Sequence, residues 1–149
     1  SDARTTATAK RAGVGRGALL RHFAAAGALA FAAFERNLDE IDQVVADGGT
    51  LADVLREVSA QVVEVAALIE FAVSLGTEPH FAEFERRMRG IVDVTLPEGR
   101  AAGTVPPAFT AEDVLLAILM LAGAANGAPR AQREAVLARA LHLLGVRLD

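Results

Sequence analysis

The sequence predicts an all-α protein. Apolar residues recur at helical spacing along nearly the whole chain. Runs of alternating β-branched residues do not occur. The breaks between periodic stretches fall at glycine, at proline or at Thr-x-x-Asp signatures that open helices.

The elements follow in order. Thr5 to Ala12 is a short helix, and Gly13-Val14-Gly15 is a turn, because glycine takes backbone angles that other residues resist. Arg16 to Phe23 is a second short helix. Val14, Leu19 and Phe23 would form a small core between the two. A long third helix runs from about Ala25 to Ala46 and sets Leu29, Ala33, Phe34, Leu38 and Ile41 on one stripe. Asp47-Gly48-Gly49 ends it.

Thr50 with Asp53 forms a capping box, in which the hydroxyl satisfies a free N–H at a helix start. The helix that follows places Leu51, Val54, Leu55, Val58, Val62, Val65 and Ile69 on one face and reaches about Leu75. Gly76-Thr77-Glu78 is a break, and Pro79 suits the first turn of the next helix. That helix is expected to stop at Leu96-Pro97, with a separate helical turn from Glu98 to Ala102 closed by Gly103. Val105-Pro106-Pro107 is a loop. Thr110 with Asp113 repeats the capping signature before Val114 to Ala125, and Asn126-Gly127 ends that helix. Pro129 opens the last helix, to about Leu144.

Composition narrows the function classes. The chain is 52% hydrophobic and 23% charged, so it has the apolar content to fold rather than stay disordered. It has no cysteine, which excludes disulfides, thiolate metal sites and cysteine nucleophiles. Ser1 to Lys10 lacks the apolar core of a secretory leader. The longest apolar run, Val114 to Ala125, is 12 residues; a membrane helix needs roughly 18 or more. A soluble cytoplasmic protein without a membrane role is expected. Net charge is −4, which argues against non-specific nucleic-acid binding. Yet Arg4, Lys10, Arg11, Arg16 and Arg21 face only Asp2 among the first 23 residues. That asymmetry is either a DNA-facing end or a solvated basic face.

The segment Ala12-Gly13-Val14-Gly15-Arg16-Gly17-Ala18-Leu19-Leu20-Arg21-His22-Phe23 resembles the signature of the TetR family of bacterial transcriptional regulators, in which an A-G-V turn leads into a short recognition helix ending R-H-F. The stretch from Ala28-Leu29 through Phe31 to Arg36 is similar to the family's next, connecting helix, and the match covers roughly residues 8 to 42. The resemblance implies a helix-turn-helix DNA-binding head over residues 1–42, partial because the family's first helix has no counterpart, and a ligand-binding and dimerising body over 43–149. Helix, glycine turn and helix is also the geometry that places a second helix in the major groove with its first residues at base edges.

On that reading Arg4, Thr5 and Thr6 approach phosphate at a helix start. Gly15, Arg16, Gly17, Ala18 and Leu20 lie at or near the groove, Arg16 able to donate two bonds to guanine and Ala18 able to touch a thymine methyl. Arg21 and His22 reach phosphates. The sequence departs from the family where Gly15 stands in place of a serine or threonine cap. It departs again where Ala24-Ala25-Ala26-Gly27 replaces a segment that usually carries a cap and charged residues.

For the body, the resemblance implies a pocket for an unknown small-molecule effector. Phe71, Leu75, Phe81, Phe84, Met88 and Ile91 are its candidate apolar lining, and His80 and Arg87 its polar fixtures; ordinary core packing is the competing reading. It also implies a homodimer through the last two helices, with Leu115, Ile118, Leu119, Ala122, Val136, Leu137, Ala140, Leu141 and Leu144 at the interface. A two-fold dimer presents two reading heads to a near-palindromic operator in double-stranded DNA. Repression is the family habit.

No cofactor or catalytic role is expected. His22, His80 and His142 are far apart, no nucleophile sits beside a base, and neither HExxH nor a glycine-rich phosphate loop occurs. His80 and Glu83 share a helix face, which is too few ligands to predict a metal. The alternative function is a helical small-molecule-binding or dimerisation module without working DNA recognition.

Overall fold

The computed structural model describes the backbone of residues 15–74 and 78–149, and within these the side chains of all but residues 23, 24, 26, 27, 30, 65–74 and 78–81. Every regular element among them is helical: α1 (Arg16–Ala46), α2 (Leu51–Ser74), α3 (Glu78–Ala101), α4 (Ala111–Asn126), a 3-10 turn (Arg130–Gln132) and α5 (Arg133–Leu144). The expected helix from Thr5 to Ala12 and most of the turn after it lie outside the described residues.

The first departure from expectation is α1. The short helix to Phe23 and the long helix from Ala25 are one continuous helix of 31 residues. Ending a helix and starting another needs a residue that satisfies the freed N–H groups. Ala24-Ala25-Ala26 offers none and has the highest helix propensity, and Gly27 alone costs only about 1 kcal/mol. Helical geometry also takes Leu29 off the expected stripe. Nine residues at 100° each put it opposite Leu38, and it is 71% exposed while Leu38 and Ile41 are buried.

Helix α2 is the centre of the bundle and packs against α1, α3, α4 and α5. Leu51, Val54, Leu55, Val58 and Val62 meet Leu38 and Ile41 of α1, Met88, Ile91, Val92 and Leu96 of α3, Val114, Ile118 and Leu121 of α4, and Leu137 of α5. Burying each such side chain contributes about 1.5–3 kcal/mol, so the apolar stripe of α2 holds the bundle together.

The start of α2 is fixed twice. The Thr50 backbone N–H donates to the Asp53 carboxylate at 2.9 Å, and the Asp53 N–H donates to the Thr50 hydroxyl at 3.3 Å, completing the expected capping box. From α3, the Glu98 carboxylate accepts the Leu51 N–H at 3.4 Å. The Thr50 backbone N–H, then its hydroxyl, and beyond them Arg56, hold the Asp53 carboxyl below its ordinary value. A carboxyl lowered in the folded state stabilises the fold above its unfolded value and loses that contribution as pH falls through the lowered one. Thr50→Ala is expected to cost about 1 kcal/mol in urea denaturation near neutral pH, with the deficit shrinking in strong acid as Asp53 protonates. An unchanged midpoint would contradict the cap.

The second departure is α3, which runs through Pro97 to Ala101 instead of stopping. Proline removes one helical bond and crowds a carbonyl. Here Pro97 lies on the exposed face, within reach of water. The turn beyond it is held by other bonds. Besides the Glu98 bond to Leu51, the Thr104 N–H donates to the Gly99 carbonyl at 2.9 Å, and Arg100 Nε donates to the Phe109 carbonyl at 2.8 Å. Tertiary bonds override the local stop signal.

Helix α4 opens on the Thr110–Asp113 capping box and α5 closes on Gly145 at φ 74°, in the left-handed region that glycine accepts without strain. The tail then turns back. The Arg147 N–H donates to the Thr104 carbonyl at 2.8 Å, Val146 is buried, and Arg56 donates to the Leu148 carbonyl.

Candidate functional site

The residues expected to read DNA occupy the first turns of α1. Gly15 is the N-cap, extended at φ −66° and ψ 145°, with no side-chain cap. The helix ladder begins with the Leu19 N–H bonded to the Gly15 carbonyl at 3.0 Å. Gly15 itself supplies no side-chain cap to this helix start, the kind of terminus at which an anion is favoured. Arg16, Gly17, Ala18, Leu20, Arg21 and His22 are all exposed. The Arg21 guanidinium folds back over Gly17, where a Cβ would lie 3.3 Å from it. Leu19 is half-buried. Arg4, Thr5, Thr6 and Val14, and the Phe23 side chain, lie outside the described residues.

The first fully buried side chain among those described in α1 is Leu38. At 1.5 Å per residue, Arg16 stands about 33 Å up the helix from it. The cationic end and the packed end are thus opposite ends of one element.

The expected effector residues divide. The side chains of Phe71, His80 and Phe81, and Leu75 altogether, lie outside the described residues. Met88 and Ile91 are buried and belong to the main core. Phe84 is half-buried, its ring edge-on to Phe34 of α1 with centroids 5.8 Å apart. Arg87 forms ion pairs across the α1–α3 contact, to Asp39 at 3.0 Å and to Asp42. These hydrogen bonds, Asp42 first, hold its guanidinium above its ordinary pKa, against partial burial. Among the described residues, Thr50, Ala52, Glu98, Ala102, Gly103, Thr104, Arg147 and Asp149 line a polar surface cleft of about 360 Å³. No group of three metal-ligating side chains occurs among the described residues.

The expected dimer residues divide as well. Ile118 and Leu137 are buried within the chain. Leu115, Ala122, Val136, Ala140, Leu141 and Leu144 are half-buried, most of them against the core. Leu119 is exposed, and its neighbours on that face are Leu116, Met120 and Gly123. These four positions form an i, i+3, i+4, i+7 stripe along α4, with Leu116 at 55%, Leu119 at 48% and Met120 at 51% exposure. Leu143 of α5 is also exposed. Leu116, Met120 and Leu143 are exposed apolar residues outside the expected dimer set. A signal existed for the first two: Glu112 and Asp113 are the only charges of α4 and mark its solvent face, which continues one and two turns later at Leu116, Leu119 and Met120.

No protein-family model, no curated protein and no solved structure matches the chain. The described residues therefore define a class by their own geometry: an all-helical bundle centred on α2, with one long helix buried at its C-terminal half and cationic at its N-terminal end. No helix among them is long and apolar enough to cross a membrane.

Proposed function

We propose that the chain is a TetR-type transcriptional regulator, a repressor that binds a near-palindromic operator as a homodimer and responds to a small-molecule effector. The observation that carries this reading is the segment from Ala12 to Phe23, whose described residues form the largely exposed, cationic start of a helix anchored in a packed body. Arg16 sits in the first turn, where a guanidinium can pair with a guanine edge. Arg21 and His22 lie one to two turns on, at the level of the phosphate backbone.

The exposed α4 stripe supports a second copy as partner. An apolar face of this kind is what a two-fold contact buries. The effector part of the proposal rests on the resemblance, with Phe71, Leu75, His80, Phe81, Phe84, Arg87, Met88 and Ile91 as its candidate residues.

The continuity of α1 through residues 24–27 favours a second reading. A recognition helix that does not bend away from its connecting helix fits a dimerisation or ligand-binding module that has lost DNA recognition. The test separates the two. Purified protein is used to select fragments of its source genome, which are then sequenced. Recovery of a short inverted repeat, lost with Arg16→Ala and weakening steeply with salt, is the expected result. Background recovery from folded, dimeric protein would leave the second reading.

A further inference from the structure

The contact between α1 and α3 has two layers. Beneath, Leu38 and Ile41 belong with Met88 and Ile91 to the apolar core. At its margin Phe84 meets Phe34 edge-on, and Arg87 reaches both Asp39 and Asp42, which lie one turn apart on α1. The arginine is the better buried partner: its side chain is 25% exposed, against 72% for Asp39 and 49% for Asp42. A planar guanidinium held between two carboxylates on one helix fixes direction as well as distance, because its donors leave in set directions. The core contact alone is non-directional.

We infer that Arg87 is a positioning residue: its pairs with Asp39 and Asp42 set the direction in which α1 leaves the bundle, and so where its cationic end stands. The functional consequence rests on the DNA-binding reading above; the positional one does not. The lever is long. A swing of about 10° at Leu38 carries Leu20, about 27 Å up the helix, through about 5 Å. A shift of that size at each head is enough to spoil a match to two half-sites held at a fixed spacing. Losing the pairs need not unfold the protein, since the freed carboxylates are already in contact with water.

The test uses the absence of native cysteine. Spin labels are placed at Leu20→Cys on α1 and Val94→Cys on α3, both exposed, in labelled protein diluted with unlabelled so that only distances within one chain are read. The expected result is a single narrow distance in the parent that shifts or broadens by several ångströms in Arg87→Met and in the Asp39→Asn, Asp42→Asn double variant. Melting should stay cooperative in both. Arg86→Met, which removes a pair confined to α3 with Glu83, is expected to leave the distance unchanged, and Arg87→Lys to restore part of it. An unchanged distance in Arg87→Met would overturn the inference. Loss of cooperative melting in both Arg87→Met and the double variant would overturn it too, by making the pairs a requirement for folding. If the parent selects no operator, the DNA reading fails while the distance result still stands.

Discussion

Gly99→Ala is expected to destabilise the protein by about 2 kcal/mol, although alanine is the better helix former. Gly99 is buried near the end of α3, beside Leu51, itself fully buried at the start of α2. A Cβ at position 99 would lie 2.8 Å from the Leu51 Cβ, closer than real Cβ contacts come, with Leu51 Cδ2 closer still. The side-chain end can rotate away only into other core residues, and the Cβ cannot move without its backbone. That backbone is pinned by the Thr50 cap and by the Glu98 bond to the Leu51 N–H. The control lies on the same helix. A methyl group at Gly90 would meet nothing within 4 Å, so Gly90→Ala should stabilise by about 0.5–1 kcal/mol. Urea denaturation of the two variants reads the difference. Equal stabilisation by both would mean that α2 and α3 do not approach as closely as described.

Leu116→Glu combined with Met120→Glu is expected to turn a dimer into a folded monomer. Both side chains are about half exposed and lie on the face of α4 turned away from Val114, Ala117, Ile118 and Leu121. Charges there meet water in the monomer, so melting should stay cooperative. In a two-fold contact the same charges would be buried without partners, at a cost of several kcal/mol. Light scattering after gel filtration measures the mass. With the proposed function, operator binding should fall with the dimer, because one head alone loses the second half-site. A parent that is monomeric, or a double variant that remains dimeric, would remove the α4 stripe from the interface. Leu121→Ala serves as the contrasting core substitution, expected to cost about 2–5 kcal/mol.

Much of the helical layout was legible in the sequence because local chemistry decides it. The two Thr-x-x-Asp boxes start α2 and α4 where the spacing placed them, since the cap bonds join residues only three apart. The stripe on α2 read correctly through Val62 because a helix half covered by its neighbours must carry its apolar residues on one side. The candidate site was less legible. The DNA-reading residues rest on a short segment, and its first described turns are exposed as expected. On α4 the exposed stripe lies about one position from the expected dimer residues: apolar residues recur on most of the helix, so periodicity alone does not choose its outward face. Counting from Glu112 and Asp113 would have chosen it. Of the expected effector residues, Met88 and Ile91 belong to the core and Arg87 to an ion pair with α1, contacts that helical periodicity does not specify.

By itself the sequence determined that the chain is helical, where α2 and α4 begin, and that its cations gather at the N-terminal end, since each depends on residues within a turn of one another. Tertiary structure alone decided the rest. It carried α3 through Pro97, because Glu98 accepts from the Leu51 N–H and Arg100 donates to the Phe109 carbonyl in the turn beyond it. It chose which side of α4 stays exposed, because α2, α3 and α5 cover the other. It set Arg87 between Asp39 and Asp42, a meeting of residues more than forty positions apart. No local rule reaches across that separation; packing around α2 does.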